Sequence, residues 1–188
     1  MECMRKIFFS FTFLLWGFLG AEIHSVVVKW SSGHCTERCA LTIQERLSRQ
    51  REIQEIEINP SLGELTLKWA EKRKFSYFPI KRAFQAAGVG VNAIYVEVSG
   101  DLQERKDQVY LISKGDKTRF LLMAPVRYQS RRYSGVIDPR VHAIDPSFKA
   151  KLMELGKKNV TFSGLLYRPA LGGDPILIVE KFRLSPES

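Results

Sequence analysis

The order of the helices and strands that the sequence predicts places this 188-residue chain in the α+β class. Two observations lead to this prediction. Over residues 26–98, apolar runs follow one another in the order strand, helix, strand, strand, helix, strand. Over residues 96–182, three strand-like runs precede one helical run and two further strands. With 45% hydrophobic residues the chain has enough apolar material for a core in both parts.

The first 21 residues are predicted to be a signal peptide or an N-terminal anchor. Arg5 and Lys6 precede an apolar run from Ile7 to Ala21, which is the order of charged and hydrophobic regions in an export signal. The run is short for a helix that spans a bilayer. We therefore expect an exported protein, periplasmic or extracellular, with retention on the membrane by an uncleaved leader as the alternative.

The first part, residues 22–94, is predicted from β-branched or alternating runs for strands and from helical spacing of apolar residues for helices. The strands are expected at residues 25–30, 55–58, 65–69 and 91–98, and the helices at residues 36–50 and 79–88. Turn residues at 59–63 join the middle strands in a hairpin. The charged run at residues 71–74 is expected to be a solvated connection. This order predicts a ferredoxin-like βαββαβ domain, with a four-stranded sheet and both helices on one face.

The second part, residues 95–188, is predicted from the same signals. Its strands are expected at residues 96–102, 108–112, 118–123, 159–167 and 175–182, and its helix at residues 146–155. Asp145 is placed to cap that helix. The order is that of a small OB-like β-barrel with one helix, and the Val-x-Val-Ser-Gly run at 96–100 and the similar run at 160–164 resemble its bent first and fourth strands. The strand at residues 91–98 can be assigned to either part, so either the two parts share one long strand or the boundary between them falls near Tyr95.

Two cysteines lie in the turn between the first strand and the first helix. Cys35 and Cys39 stay in the chain if the leader is removed together with Cys3. Thiolates bind copper(I) or zinc, a helix N-terminus lowers the pKa of a thiol, and His34 or His24 adds a third ligand if the turn folds back. The same two cysteines are close enough for a disulfide, which export favours. Metal binding, a disulfide and a pair of free thiols stay open.

With this turn, the first part resembles heavy-metal-associated domains, the ferredoxin-like modules of copper chaperones and metal-transporting ATPases. In that family the turn reads Gly-Met-x-Cys-x-x-Cys and its two thiolates bind copper(I) or a similar soft ion. Gly33 falls on the family glycine, His34 on the methionine and Cys39 on the second cysteine. Cys35 lies one position before the first family cysteine. The resemblance implies a soft-metal site here, with the metal ion or a metal-transport protein as the partner.

A basic loop is the second candidate site. The chain carries a formal net charge of +9, which attracts it to anionic surfaces. One loop interleaves arginine with tyrosine, as anion-binding loops do. Its candidate partner-binding residues are Arg127, Tyr128, Arg131, Arg132 and Tyr133. An anionic surface or a protein partner fits this loop, and a solvated charged loop is the alternative. The expected export argues against nucleic acid.

The sequence contains no nucleophile elbow, phosphate-binding loop or zinc-protease motif, so we predict that the protein is not an enzyme. The predicted function is binding or delivery of a soft metal ion, such as copper(I), by an exported protein. The alternative is a structural or interaction module that binds an anionic or protein partner through the OB-like barrel and its basic loop.

Overall fold

The computed structural model describes residues 23–31, 33, 37–124, 144–155, 160–167 and 173–184, which form eight strands and three helices. In chain order these elements are β1 (Ile23–Trp30), α1 (Glu37–Ser48), β2 (Ile53–Asn59), β3 (Glu64–Trp69), α2 (Phe78–Ala86), β4 (Val91–Arg105), β5 (Gln108–Ser113), β6 (Arg119–Met123), α3 (Pro146–Leu155), β7 (Val160–Tyr167) and β8 (Ile176–Leu184). None of these three helices combines the length and the apolar character needed to cross a membrane. The predicted leader, residues 1–21, lies outside the described residues.

All eight strands belong to one sheet in the order β2-β3-β1-β4-β5-β6-β8-β7. An additional pairing of β4 with β7 brings the last strand back to the fourth, so that β4, β5, β6, β8 and β7 form a closed five-stranded barrel. The described strands pair in antiparallel fashion, apart from β6 and β8, which are parallel. A barrel of this kind is consistent with the predicted OB-like fold.

The long strand β4 belongs both to the barrel and to the three-stranded extension formed by β2, β3 and β1. Residues 95–98 pair with β1 on one edge and with β7 on the other, whereas residues 100–105 pair with β5. Gly100 stands where the pairing passes from β1 to β5. A Cβ atom on this residue would lie 2.3 Å from the carbonyl oxygen of Ile112, so a residue with a side chain would hold β5 away from β4.

The predicted fold class is wrong. Strands and helices occur in the predicted order, but β4 does not end as the edge of a self-contained four-stranded sheet; it continues as a barrel strand. The protein is mostly β, a closed barrel with three further strands and three helices, and not a ferredoxin-like βαββαβ domain followed by a separate small barrel. The predicted boundary between residues 94 and 95 falls inside β4.

Most buried apolar side chains form one continuous core that runs from the helices into the barrel, and a smaller separate cluster contains Met123, Ile176 and Ile178. Helix α1 buries Ala40, Ile43 and Leu47, which confirms its predicted apolar face. Trp30 of β1 packs edge-on against Phe84 of α2, with 5.4 Å between the ring centroids. Because burying a large aromatic or aliphatic side chain contributes about 2 kcal/mol, this shared core is the main source of stability.

A second aromatic chain joins the extension to the barrel. Phe75, in the connection between β3 and α2, has its ring centroid 5.0 Å from that of Trp69 and 6.0 Å from that of Phe120 inside the barrel. Its backbone N–H donates to Asp116 Oδ2 at 2.8 Å, in the turn between β5 and β6. These contacts fix the connection, residues 70–77, against the barrel.

Helix α3 begins at Pro146, and Asp145 caps it as predicted. The backbone N–H of Phe148 donates to Asp145 Oδ1 at 2.9 Å, and the Ser147 hydroxyl donates to the same oxygen. These hydrogen bonds, led by that from Ser147, lower the pKa of Asp145. Leu152 is fully buried and anchors the helix in the core.

Candidate functional site

The structure describes one of the three predicted metal ligands. Cys39 lies in the first turn of α1 and is disulfide-bonded. His34 and Cys35 lie outside the described residues, so the pairing of Cys35 with Cys39 stays a prediction. In the described part of the chain, no group of three or more histidine, cysteine, aspartate or glutamate side chains is placed to hold a metal ion.

The predicted basic loop lies outside the described residues. This applies to its five candidate partner-binding residues, which are Arg127, Tyr128, Arg131, Arg132 and Tyr133. The loop follows β6, which begins at Arg119 and ends at Met123. Partner binding by this loop therefore stays a prediction.

A different basic surface lies between the helices and the barrel. Two neighbouring cavities, of about 410 and 470 Å³, are both lined by Lys74 and Ser76 of the connection. On its far side, the first cavity is lined by residues 117–119 and 173–175 of the barrel. The second is lined by the end of α1 and the start of α2. We call these two cavities together the basic groove.

Positive charge predominates in the basic groove, because five cations and two carboxylates line it and leave an excess of three positive charges. The cations are Arg46, Lys74, Arg82, Lys117 and Arg119, and the carboxylates are Glu52 and Asp174. Arg119 pairs with Asp174 at 3.1 Å. The other four cations are exposed and form no ion pair with a described residue.

Local structure holds the middle of the groove in place. Lys74 directly precedes Phe75, whose N–H is bound by Asp116 and, at 3.3 Å, by Thr118 Oγ1. On the other side of Lys74, the indole N–H of Trp69 donates to the carbonyl oxygen of Arg73 at 3.0 Å. The backbone that carries Lys74 is thus anchored at both neighbouring residues.

The start of α2 adds to the positive potential. The first turn of this helix contains no acidic residue, and its N-cap residue, Tyr77, makes no capping hydrogen bond through its side chain. A helix N-terminus carries a partial positive charge and is stabilised by acidic side chains. Arg82, the fifth of the nine residues of α2, also lines the groove. The partial positive charge of the helix N-terminus thus adds to that of the cations that line the groove.

A second polar cluster joins three strands away from the groove. His24 occupies a bulge in β1, and its Nε2 lies 2.6 Å from Ser99 Oγ, which in turn lies 2.6 Å from Thr161 Oγ1. Burial lowers the pKa of His24, an effect that Glu97 opposes and Arg183 reinforces. Arg183 is itself paired with Glu97. Neither cavity of the basic groove includes these residues, and we interpret the cluster as a hydrogen-bonded link between β1, β4 and β7.

Comparisons with protein-family models, with curated proteins and with solved structures find no match for this chain. The resemblance to heavy-metal-associated domains therefore stays a prediction.

Sequence reasoning missed the basic groove because its cations come from segments far apart in the chain. Arg46, Lys74 and Lys117 belong to a helix, a connection and a turn, and the pattern of each segment alone is that of a solvated surface. The run at residues 71–74 was the available signal, since it places three cations next to the buried Phe75. Its charges indicate a basic surface, but only the fold shows which other cations join it.

Proposed function

We propose that this protein is an interaction module that binds an anionic partner through the basic groove beside its barrel. The observation that supports the proposal is the convergence of four cations, Arg46, Lys74, Arg82 and Lys117, on two neighbouring cavities, with no ion pair among the described residues. Cations of like charge repel one another, and this repulsion is relieved when an anion binds.

The shape of the groove favours a partner with several negative charges. A single small anion would occupy one part of either cavity and meet few of the cations. A longer ligand that passes Lys74 can contact Arg82 on the helix side and Lys117 on the barrel side. Each exposed charge pair contributes only up to about 1 kcal/mol, so useful affinity requires several pairs at once.

The proposal includes an OB-like assignment for the barrel, which the order of its strands and the helix between β6 and β7 support. The predicted basic loop follows the C-terminal end of β6, whereas Arg119, at the N-terminal end of β6, lines the groove. The loop and the groove can therefore be tested separately. The proposed function needs no catalytic group, and the absence of enzyme activity stays a prediction.

The experiment is a charge reversal with a matched control. The variant Lys74→Glu/Arg82→Glu changes the groove, and Lys151→Glu/Lys181→Glu makes the same change in net charge at exposed sites on α3 and β8. Binding of fluorescein-labelled poly-glutamate and of polyphosphate is measured by anisotropy at several salt concentrations. We expect the groove variant to bind at least tenfold more weakly than the parent and the control to stay within threefold of it, with affinity falling as salt rises.

Two results would reject the proposal. One is a parent protein that binds neither probe at low salt. The other is an equal loss of binding in the groove variant and in the control, because that result would show a dependence on net charge alone. Lys74 and Arg82 are both exposed, and surface substitutions usually change stability by only about 0.5 kcal/mol, so the groove variant should fold.

Soft-metal binding by Cys35 and Cys39 stays a prediction and applies to the reduced protein. A sulfur atom in a disulfide is not a thiolate, and thiolates are the soft ligands that copper(I) selects. Anaerobic titration of reduced protein with copper(I), followed by mass spectrometry, would test it. The prediction requires roughly one copper(I) per chain, lost in Cys35→Ser/Cys39→Ser, and fails if that variant binds copper(I) as well as the parent does.

A further inference from the structure

We infer that the occupant of the basic groove is an extended acidic segment of a partner protein. This inference rests on the proposed function and adds the chemistry of the partner. It follows from three properties of the groove: its concave shape, the acceptor groups that lie among its cations, and the apolar side chains in both of its cavities.

The concave shape selects a linear chain over a flat surface. Lys74 and Ser76 line both cavities; the first is otherwise lined mainly by the barrel and the second by the helices and their connections. A bilayer surface is too broad to enter such a groove, whereas an extended peptide, which advances about 3.3 Å per residue, can follow it.

Acceptor groups within the groove favour a peptide over a polyphosphate or a nucleic acid. Glu52 lines the helix-side cavity and forms no ion pair with a described residue. Nearby, Gln50 uses its side-chain nitrogen to bind the carbonyl oxygen of Arg46, which leaves its oxygen as an acceptor. A phosphodiester backbone carries a charge at every unit and no donor, so Glu52 repels it. A peptide places backbone N–H donors between its acidic side chains and can satisfy both.

Apolar side chains in both cavities of the groove indicate that acidic residues are not the whole of the partner segment. Phe78 is 52% exposed and lines the helix-side cavity together with Pro79. Pro175 and the mostly buried Leu166 line the barrel-side cavity. A segment with acidic residues at its centre and an apolar residue towards each end complements this arrangement of charge and apolar surface.

The test compares two probes on the parent and on one isosteric variant. The probes are a fluorescein-labelled twelve-residue peptide, with four glutamates at its centre and a leucine near each end, and a labelled twelve-residue oligothymidylate. The variant is Glu52→Gln, which removes a negative charge and keeps the shape of the side chain. The full chain is used, and both affinities are measured at the same salt concentration.

We expect the parent to bind the peptide at least tenfold more tightly than the oligonucleotide. In Glu52→Gln, the oligonucleotide should gain at least threefold in affinity and the peptide should gain less. Equal binding of both probes by the parent, or an equal gain for both in Glu52→Gln, would overturn the inference and leave the anion-binding function intact. Failure of both probes to bind the parent would overturn the proposed function and the inference with it.

Discussion

Closure of the barrel depends on a glycine at the centre of β7, and Gly164→Ala tests this dependence. A Cβ atom on this residue would lie 1.9 Å from the carbonyl oxygen of Ile178 and 3.1 Å from the backbone nitrogen of Glu180. Both atoms belong to the backbone of β8, so no side-chain rotation can relieve the clash. The two strands have to move apart by more than an ångström beside the irregular pairing at Ser163 and Gly164.

The expected cost follows from what this movement disrupts. Separation of β7 from β8 weakens about two ladder hydrogen bonds, each of which contributes about 1 kcal/mol. The added methyl group also strains the packing inside the barrel, and overpacking of a filled core costs at least about 1 kcal/mol more. We therefore expect Gly164→Ala to lower the free energy of unfolding by about 3 kcal/mol. For a chain of this size the melting temperature should fall by about 6–12 °C.

Urea unfolding followed by circular dichroism measures this loss, with Gly90→Ala as the matched control. A Cβ atom on Gly90 would have no neighbour within 4 Å, and this residue does not adopt the left-handed backbone conformation. The control should be unchanged or more stable by up to about 1 kcal/mol, because alanine restricts the unfolded chain. If Gly164→Ala unfolds within about 0.5 kcal/mol of the parent, the close approach of β7 and β8 is not what requires glycine here.

Three further predictions concern single hydrogen-bonded groups, each measured by urea unfolding. Burial lowers the pKa of His24 from its usual 6.5, so the unfolded chain takes up a proton at higher pH than the folded protein. The stability that neutral His24 contributes is complete above pH 6.5 and is lost as the pH falls through the folded-state pKa. Between pH 7 and pH 5 the free energy of unfolding should therefore fall more in the parent than in His24→Gln. Parallel losses in the two proteins would contradict this. Asp145→Ala removes the acceptor of the Phe148 N–H and should lower the free energy of unfolding by about 1 kcal/mol. Asp145→Asn keeps an acceptor and should retain most of the stability. An equal loss in both variants would show that the helix cap is not responsible. Asp116→Ala removes the acceptor closest to the Phe75 N–H and should lower the free energy of unfolding by about 1–3 kcal/mol. It should also weaken poly-glutamate binding, because this hydrogen bond anchors the backbone next to Lys74. Unchanged binding in a destabilised variant would show that the anchor is not needed for the groove.

Local signals in the sequence were sufficient to predict the individual elements. The spacing of Ala40, Ile43 and Leu47 predicts the buried face of α1, and the structure confirms all three. The similar runs at residues 96–100 and 160–164 prove to be paired with each other, with Val96 opposite Gly164 and Gly100 opposite Val160. Apolar periodicity and cap chemistry act over a few residues, which explains why they are readable from the sequence.

The fold class and the groove depend on contacts between distant residues, and here the sequence was insufficient. Alternation in residues 91–98 fits the last strand of one sheet as well as the first half of a longer strand. The difference lies in β7, which pairs with the second edge of β4 from 60 to 70 positions away. In the same way, Lys74 and Lys117 become neighbours of one cavity only because Phe75 packs against the barrel.

The double role of β4 also has a consequence for the order in which the chain is made. Residues 95–100 are synthesised well before residues 160–165, the part of β7 that pairs with them. Until β7 emerges, that edge of β4 presents unpaired backbone groups, and exposed strand edges are templates for pairing with other chains. Contacts this distant in sequence also form slowly. The most vulnerable state of this protein is therefore a nascent chain with β1 to β6 in place, whose open edge must be kept from other chains until the last two strands arrive.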